Sequence, residues 1–317
     1  MMQRYFVSTY VTSPCVHEWN PELERDYFQA LAGRSEIIGI EHPFSLDSAR
    51  YPLDWLVRNI SDHWSMIITT LPVFMGMIKE DSYVGLASHR EHERNSAVNV
   101  MEQISDYVCK LNQVFNRKVV SAVHLHSFPK NDDVELRCCK SALKQSLIDI
   151  KKFDWQSAQL NLEHCDAHIP HQAAEKGFLS LEDEIEVLKD VGGFGIVLNW
   201  ARSAIEGRSV LTPLTHIEQS QAACLLKGFV FSGCGDDPQS EYGCWKDTHM
   251  PPKNFINSEY LPEGGLLGRQ EIEDTLALLN QDIYLGIKVS DKSDNRTLAR
   301  AAGLNIDVIR ALYTQRS

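Results

Sequence analysis

Ala158-Gln159-Leu160-Asn161-Leu162, closed by Glu163 and His164, is the stretch on which the reading of this chain turns. A short apolar run that ends on an acid and an imidazole reads as a buried strand with polar groups at its C-terminal end. The same kind of run recurs along the chain. Tyr5–Val11, Ile37–Ile40, Met66–Thr70 and Val119–Leu125 precede it, and Gly195–Leu198, Gly228–Phe231 and Ile283–Val289 follow. The starts lie 29 to 55 residues apart, enough each time for a loop, a helix and a return.

The segments between carry helical period. Asn20-Pro21 places a capping side chain before a proline at the first helical position. Between Asn95 and Val114, Val98, Met101, Ile104, Val108 and Leu111 share one face. Val134–Ile150, Leu181–Val191, Gln270–Leu279 and Arg296–Leu312 read as helices too, with Ser180 and Asp183 opening the second of these as a capping-box-like start. Eight strands alternating with helices predict an α/β fold, a (β/α)8 TIM barrel. A doubly wound open sheet is the lesser alternative, because no Gly-x-Gly-x-x-Gly turn follows an early strand. The expectation is a single barrel domain over 1–317, with long loops after the third and seventh strands, Leu71–Lys118 and Ser232–Asp282. The second is rich in Gly and Pro and should overhang the strands' C-terminal ends.

Composition narrows the partners. With 31 Lys and Arg against 43 Asp and Glu, the formal charge is −12, which speaks against a nucleic-acid backbone or an anionic membrane surface. No run approaches the roughly 18 apolar residues of a membrane span, and Met1–Tyr10 lacks the apolar core of a signal peptide. Eight cysteines without a Cys-x-x-Cys pair read as free thiols, with Cys138-Cys139 inside a helix. A cytoplasmic location is the expectation.

The candidate site is the set of polar residues at the strand ends: Glu41-His42, His124 and His126, Glu163-His164, Asn199 and Arg202, Ser232 and Lys288, joined by Asp247-Thr248-His249 from the long loop. Carboxylates and imidazoles meeting at one mouth suit acid-base or metal-assisted chemistry. His124 and His126 alternate along one strand and must share a face; a structural imidazole and a ligand fit either equally. Glu163 follows an apolar run and requires a partner once buried. Lys288 sits in the apolar stretch Tyr284-Leu-Gly-Ile-Lys288 and is either a functional amine or the ion-pair partner of a mouth carboxylate such as Glu163. Trp200 and Trp245 could stack on sugar faces, although core packing is the commoner fate of Trp.

Taken in order, these motifs resemble the xylose isomerase-like TIM-barrel superfamily, which includes sugar isomerases, sugar epimerases and endonuclease IV-type nucleases. The likeness is strongest from Val119 to His249. Ile40-Glu41 resembles the second-strand glutamate, and Gly85-Leu-Ala-Ser88 with Arg94 and Val98 the third loop and helix. Val123–His126 resembles the fourth strand with its terminal His. Asn161-Leu162-Glu163 resembles the fifth strand, Val197-Leu-Asn-Trp-Ala-Arg202 the sixth-strand Asp-x-x-His, and Asp247-Thr-His249 the seventh-loop Asp-x-His. The resemblance implies a divalent metal (Mn, Mg or Zn) held by Glu, Asp, His and Glu on successive strands. Here Glu163 keeps the first place, while Asn199, then Ser232 or a neighbour, then Lys288 stand at the other three, so the chain resembles a divergent member with a degraded metal site. The remaining metal set would be Glu163, His126, Asp247 and His249.

The implied function is a sugar isomerase or epimerase working by proton transfer next to a carbonyl. Glu163 and Lys288 would be catalytic, and His126, Asn199, Arg202, Trp200 and Trp245 would bind a small sugar or sugar phosphate. The alternatives are a Lys288 Schiff-base aldolase-like lyase and a non-catalytic carbohydrate-binding barrel; a nuclease ranks last. A homo-oligomer stays open.

Overall fold

The computed structural model describes residues 4–46, 51–293 and 296–313; Met1–Gln3 of the N-terminal stretch lie outside them. Each of the eight apolar runs overlaps a strand: β1 (Tyr5–Val7), β2 (Ile37–Pro43), β3 (Ser65–Thr69), β4 (Val120–Leu125), β5 (Gln159–Glu163), β6 (Gly195–Asn199), β7 (Leu226–Phe231) and β8 (Tyr284–Ile287). The strands are parallel and pair in chain order, and β8 closes on β1 with Tyr5 opposite Leu285. The fold is a (β/α)8 TIM barrel. Its helices are α1 (Thr9–Thr12), α2 (Pro21–Ala32), α3 (Leu53–Asn59), α4 (Leu71–Glu80), α5 (Glu91–Val114), α6 (Lys140–Ile150), α7 (Leu181–Val191), α8 (Trp200–Gly207), α9 (Thr212–Ala222), α10 (Arg269–Leu278) and α11 (Leu298–Tyr313).

Local chemistry places the helix starts. Asn20 accepts hydrogen bonds from the N–H groups of Glu22 and Leu23 ahead of α2, and Ser180 accepts from Asp183 N–H ahead of α7. Two expectations need correction. Residues 134–139 are not helical: Asp132 accepts from the N–H groups of Val134 and Glu135, and Asn131 from that of Cys138. These side chains satisfy the backbone in a turn, so the helix begins only at Lys140. Cys138 instead bridges to Ser88, and Cys139 is the N-cap residue of α6. The run Tyr5–Val11 is also divided, because the chain leaves the strand at Ser8 and turns into α1. None of the eight cysteines is in a disulfide.

Alternation along the strands sorts the barrel lumen from its outer wall. Phe6, Ile67 and Ala122 form an inner apolar cluster, with Ile38 and Tyr284 packed on it. A Cβ at Gly228 would lie 2.3 Å from the Tyr284 ring, so glycine there makes room for it. Outward-facing Val7, Ile40, Met66, Ile68, Val123, Leu125, Leu162, Ile196 and Leu198 belong to the large core under the helices. Burial of each such side chain is worth about 1.5–3 kcal/mol. Above the inner apolar layer the lumen turns polar. After β7 the chain folds back toward the strand ends: Gly233 pairs with Met250, and Ser290 N–H donates to the His249 carbonyl at 2.7 Å. Among the described residues no helix is long and apolar enough to cross a membrane.

Candidate functional site

The polar layer begins with Tyr284, at the start of β8. Its hydroxyl lies 2.6 Å from His124 Nε2 and accepts from Asn161 Nδ2 at 3.3 Å. His124 and His126 both face the lumen from β4 and its end. His126 Nε2 is 2.9 Å from Glu163 Oε2, and its Nδ1 is 3.2 Å from the Thr70 hydroxyl. His124 Nδ1 stands 3.6 Å from Glu163 Oε2 and 3.8 Å from Glu41 Oε1.

Each mouth carboxylate meets a fixed cation. Lys288 Nζ lies 3.0 Å from Glu41 Oε1, over the Tyr10 ring, and Ser8 donates its hydroxyl to the other Glu41 oxygen. Arg202 Nη1 is 2.6 Å from Glu163 Oε1, and Arg202 Nε donates to Asp247 Oδ2 at 3.2 Å. Lys176 Nζ reaches the same Asp247 oxygen at 3.0 Å, and His249 Nδ1 stands 3.3 Å from Asp247 Oδ1 and from the Ser232 hydroxyl. The expected Lys288–Glu163 pair is therefore corrected. Lys288 takes Glu41, and Glu163 takes Arg202, because the first turn of α8 brings the guanidinium over β5.

The charges follow from this pairing. Burial works against ionised Glu41, but Lys288 and His124 overcome it and hold the carboxyl down at about 2. Glu163 and Asp247, also penalised by burial, are likewise held well below the carboxylate range, Glu163 by Arg202 and Lys288, and Asp247 by Lys176 and Arg202. Burial opposes the charge on Lys288 too, yet Glu41 raises its pKa. Burial pushes His126 and His249 down to about 4, so both are neutral near pH 7. His124 is also penalised by burial, but Glu163 and Glu41 raise it.

These residues do not fit a divalent ion. Glu41, His124 and Glu163 offer ligand atoms within 4.8 Å of one another. An ion there would face Lys288 and Arg202, each repelling it by about 8 kcal/mol at roughly 4 Å and an effective dielectric of about 20. The set Glu163, His126, Asp247 and His249 meets the same obstacle, since both of its carboxylates are already held by Arg202 and one also by Lys176.

Three remaining residues have different surroundings. Asn199 caps α8, its Oδ1 accepting from the N–H groups of Ala201 and Arg202. Trp200 is fully buried in the core under the helices. Trp245 carries Arg208 5.3 Å above its ring. The sequence reading passed over Ser8, Tyr10, Lys176 and Tyr284. Tyr284 had a signal, because it lies four residues before Lys288 and so on the same strand face; Lys176, in an irregular loop, had none.

His42 and His164 turn the other way, toward the helices. His42 Nε2 is 3.0 Å from the Tyr107 hydroxyl of α5. His164 lies between Glu184 of α7 and Glu206 of α8, with His216 of α9 alongside. Burial opposes a charge on His164, but the two carboxylates raise its pKa to about 10.

The closed parallel barrel is similar in fold to xylose isomerase-like TIM barrels. Solved structures of that kind align over nearly the whole chain. A xylose isomerase domain protein from Alicyclobacillus acidocaldarius aligns over 100% of both chains at 10% identity and TM-score 0.56. D-psicose 3-epimerase from Clostridium cellulolyticum aligns over 99% of this chain and 98% of its own, at 12% identity and TM-score 0.54. A sugar phosphate isomerase/epimerase from Parabacteroides distasonis covers 99% and 98%, at 11% identity and TM-score 0.56. At these identities the likeness is one of fold. The chain belongs to the family described as "Domain of unknown function (DUF4862)", whose profile matches residues 6–302. A Salmonella typhimurium protein described as uncharacterized is 33% identical over 266 residues, 82% of this chain and 83% of its own.

Proposed function

We propose that the protein is a sugar isomerase or epimerase that moves a proton beside a substrate carbonyl in the barrel mouth. One observation carries this reading. Buried atoms with no aligned hydrogen-bond partner converge there: Arg202 Nη1 and Nη2, His124 Nδ1, Glu163 Oε1 and Asp247 Oδ1. Arg202 Nη1 and Glu163 Oε1 attract each other as charges, but their contact lacks hydrogen-bond geometry. Buried polar atoms are rarely left unmatched, and a mixed set of donors and acceptors in one place suits a polyol, whose hydroxyls both donate and accept. The fold neighbours are sugar isomerases and epimerases by their descriptions, which agrees with it.

In this scheme the substrate oxygens bind the Arg202 Nη atoms and draw the guanidinium off Glu163. The freed carboxylate takes the proton from the carbon beside the carbonyl. Lys288 and Arg202 stabilise the enediolate oxygen, supplying positive charge where the fit for a metal fails. In an isomerase Glu163 returns the proton to the neighbouring carbon while the hydroxyl proton passes from one oxygen to the other; in an epimerase Glu163 keeps the proton and a second acid across the substrate delivers another to the opposite face. A Schiff base needs a neutral amine, whereas Glu41 holds Lys288 protonated. Solvent deuterium uptake by a panel of aldoses, ketoses and their phosphates tests the reading. Uptake that disappears in Glu163→Gln is expected. No uptake from any sugar overturns the reading, and a thermal shift without turnover indicates a carbohydrate-binding barrel.

A further inference from the structure

We infer that His164, Glu206 and His216 form a binding site for a divalent transition-metal ion, zinc by its ligand chemistry, on the helix side of the barrel wall. The site lies outside the barrel lumen and does not depend on the proposed reaction. His164 follows Glu163 in the chain, and its side chain leaves the wall in the opposite direction.

The argument rests on how both imidazoles are aimed. His164 Nδ1 is 2.7 Å from Glu184 Oε2, and the other Glu184 oxygen accepts the Ser127 hydroxyl. That pairing fixes Nδ1 as the donor and turns Nε2 toward Glu206 Oε2, 3.1 Å away. His216 repeats the pattern: its Nδ1 is 3.0 Å from the Ser203 hydroxyl, and its Nε2 faces Glu206 Oε1 at 3.5 Å. Imidazoles that bind metals are oriented in this way by a partner on the far ring nitrogen. Glu206 is positioned as well, with Oε2 accepting the Ala167 N–H at 2.8 Å.

The spacing suits a small ion. The three ligand atoms lie within 4.8 Å of one another. A tetrahedral zinc with bonds of about 2.1 Å has ligand-to-ligand edges of about 3.4 Å, between the 3.1 and 3.5 Å observed to Glu206. Among the described residues, no Lys or Arg is hydrogen-bonded or ion-paired to the side chains of His164, Glu184, Glu206 or His216. A protonated His164 bridging Glu184 and Glu206 explains His164 without an ion. It does not explain His216, whose Nε2 faces the same carboxylate from beyond normal hydrogen-bond range. When the ion enters, it replaces the proton on His164 Nε2, which leaves to solvent, and coordination bonds form to His164 Nε2, His216 Nε2 and Glu206. The ion would then tie the end of β5 to α8 and α9.

The test uses the full chain, stripped with chelator and titrated with Zn²⁺ alone against a chromogenic competitor. Co²⁺ absorption provides the coordination signature. One ion per chain, a raised melting temperature and tetrahedral Co²⁺ bands are expected. His216→Gln should lose all three, and Glu163→Gln should keep them. The inference is overturned if the chain binds no ion, if His216→Gln binds as tightly as the parent, or if binding is lost in Glu163→Gln but kept in His216→Gln. Should His216→Gln fail to fold, Ser203→Ala decides, because it keeps every ligand: a fall in Zn²⁺ affinity supports the site, and an unchanged affinity overturns it.

Discussion

Glu163 and His164 are consecutive residues, yet they serve two regions with opposite electrostatics. Glu163 enters the mouth, where Glu41, Glu163 and Asp247 are each met by Lys288, Arg202 or Lys176. His164 enters a cluster of two carboxylates and two imidazoles that has no Lys or Arg partner among the described residues. The residue types overlap; the presence of fixed cations separates them. Where a guanidinium or ammonium already neutralises the carboxylates, the site suits the oxygens of an organic ligand. Where only imidazoles face the carboxylates, a metal ion can take the place of a proton.

Breaking an ion pair in the mouth should give the largest effect. Arg202→Met leaves buried Glu163 without its guanidinium and weakens the hold on Asp247, and loss of one partner of a buried pair costs about 3–5 kcal/mol. Urea denaturation should show a loss of that size, together with loss of any sugar turnover. An Arg202→Met variant as stable as the parent would mean that the pair is solvated rather than buried.

Next in size, the two regions should fail at opposite ends of the pH scale. Glu41 is held at about 2, below its ordinary value of 4.5. Its contribution is therefore present above about pH 4.5 and is lost as the pH falls toward 2. His164 is raised from 6.5 to about 10, so its contribution is full below about pH 6.5 and is lost as the pH rises through 10. Melting curves of stripped protein should show Glu41→Gln flattening the acid limb only and His164→Gln the alkaline limb only. Zinc should remove the alkaline loss, since the bound ion needs no proton on His164. One variant flattening both limbs would show that the regions do not act separately.

Why the mouth was legible and the outer cluster was not has a physical answer. Parallel barrel strands are buried on both faces, so Ala158–Leu162 and its seven counterparts appear as apolar runs, and the acids and bases that end them must gather at one rim. Partner choice was not legible: Lys288 pairs with Glu41, 247 residues away in the chain, through barrel closure rather than through any local pattern. His164 carried a readable signal, because alternation after Glu163 sends it to the helix side. Glu206 and His216 carried none, since ordinary helix positions meet only when α8 and α9 pack. The stretch 134–139 misled because its apolar spacing resembles a helix, while the side chains of Asn131 and Asp132 hold the backbone in a turn.

A smaller change sharpens the outer site. Ser203→Ala removes the hydroxyl beside His216 Nδ1 and leaves every proposed ligand in place. Loss of such an orienting partner typically weakens metal binding about 10–100-fold, and competitive Zn²⁺ titration should read a change in that range with little effect on the mouth.

The smallest expected effect lies at the helix common to both regions. From α8, Arg202 reaches the mouth and Glu206, one turn later, reaches the outer cluster. Asn199 caps this helix, so Asn199→Ala should cost about 1 kcal/mol, measured by denaturation, and should slightly weaken both zinc binding and sugar turnover. Asn199→Asp keeps the capping oxygen and adds a charge favourable at a helix N-terminus, so it should recover the stability. Asn199 Nδ2 is buried without a partner beside the mouth, and aspartate lacks that donor. If the amide also holds the sugar, Asn199→Asp regains stability and zinc affinity but not turnover; if Asn199 only caps the helix, all three recover together.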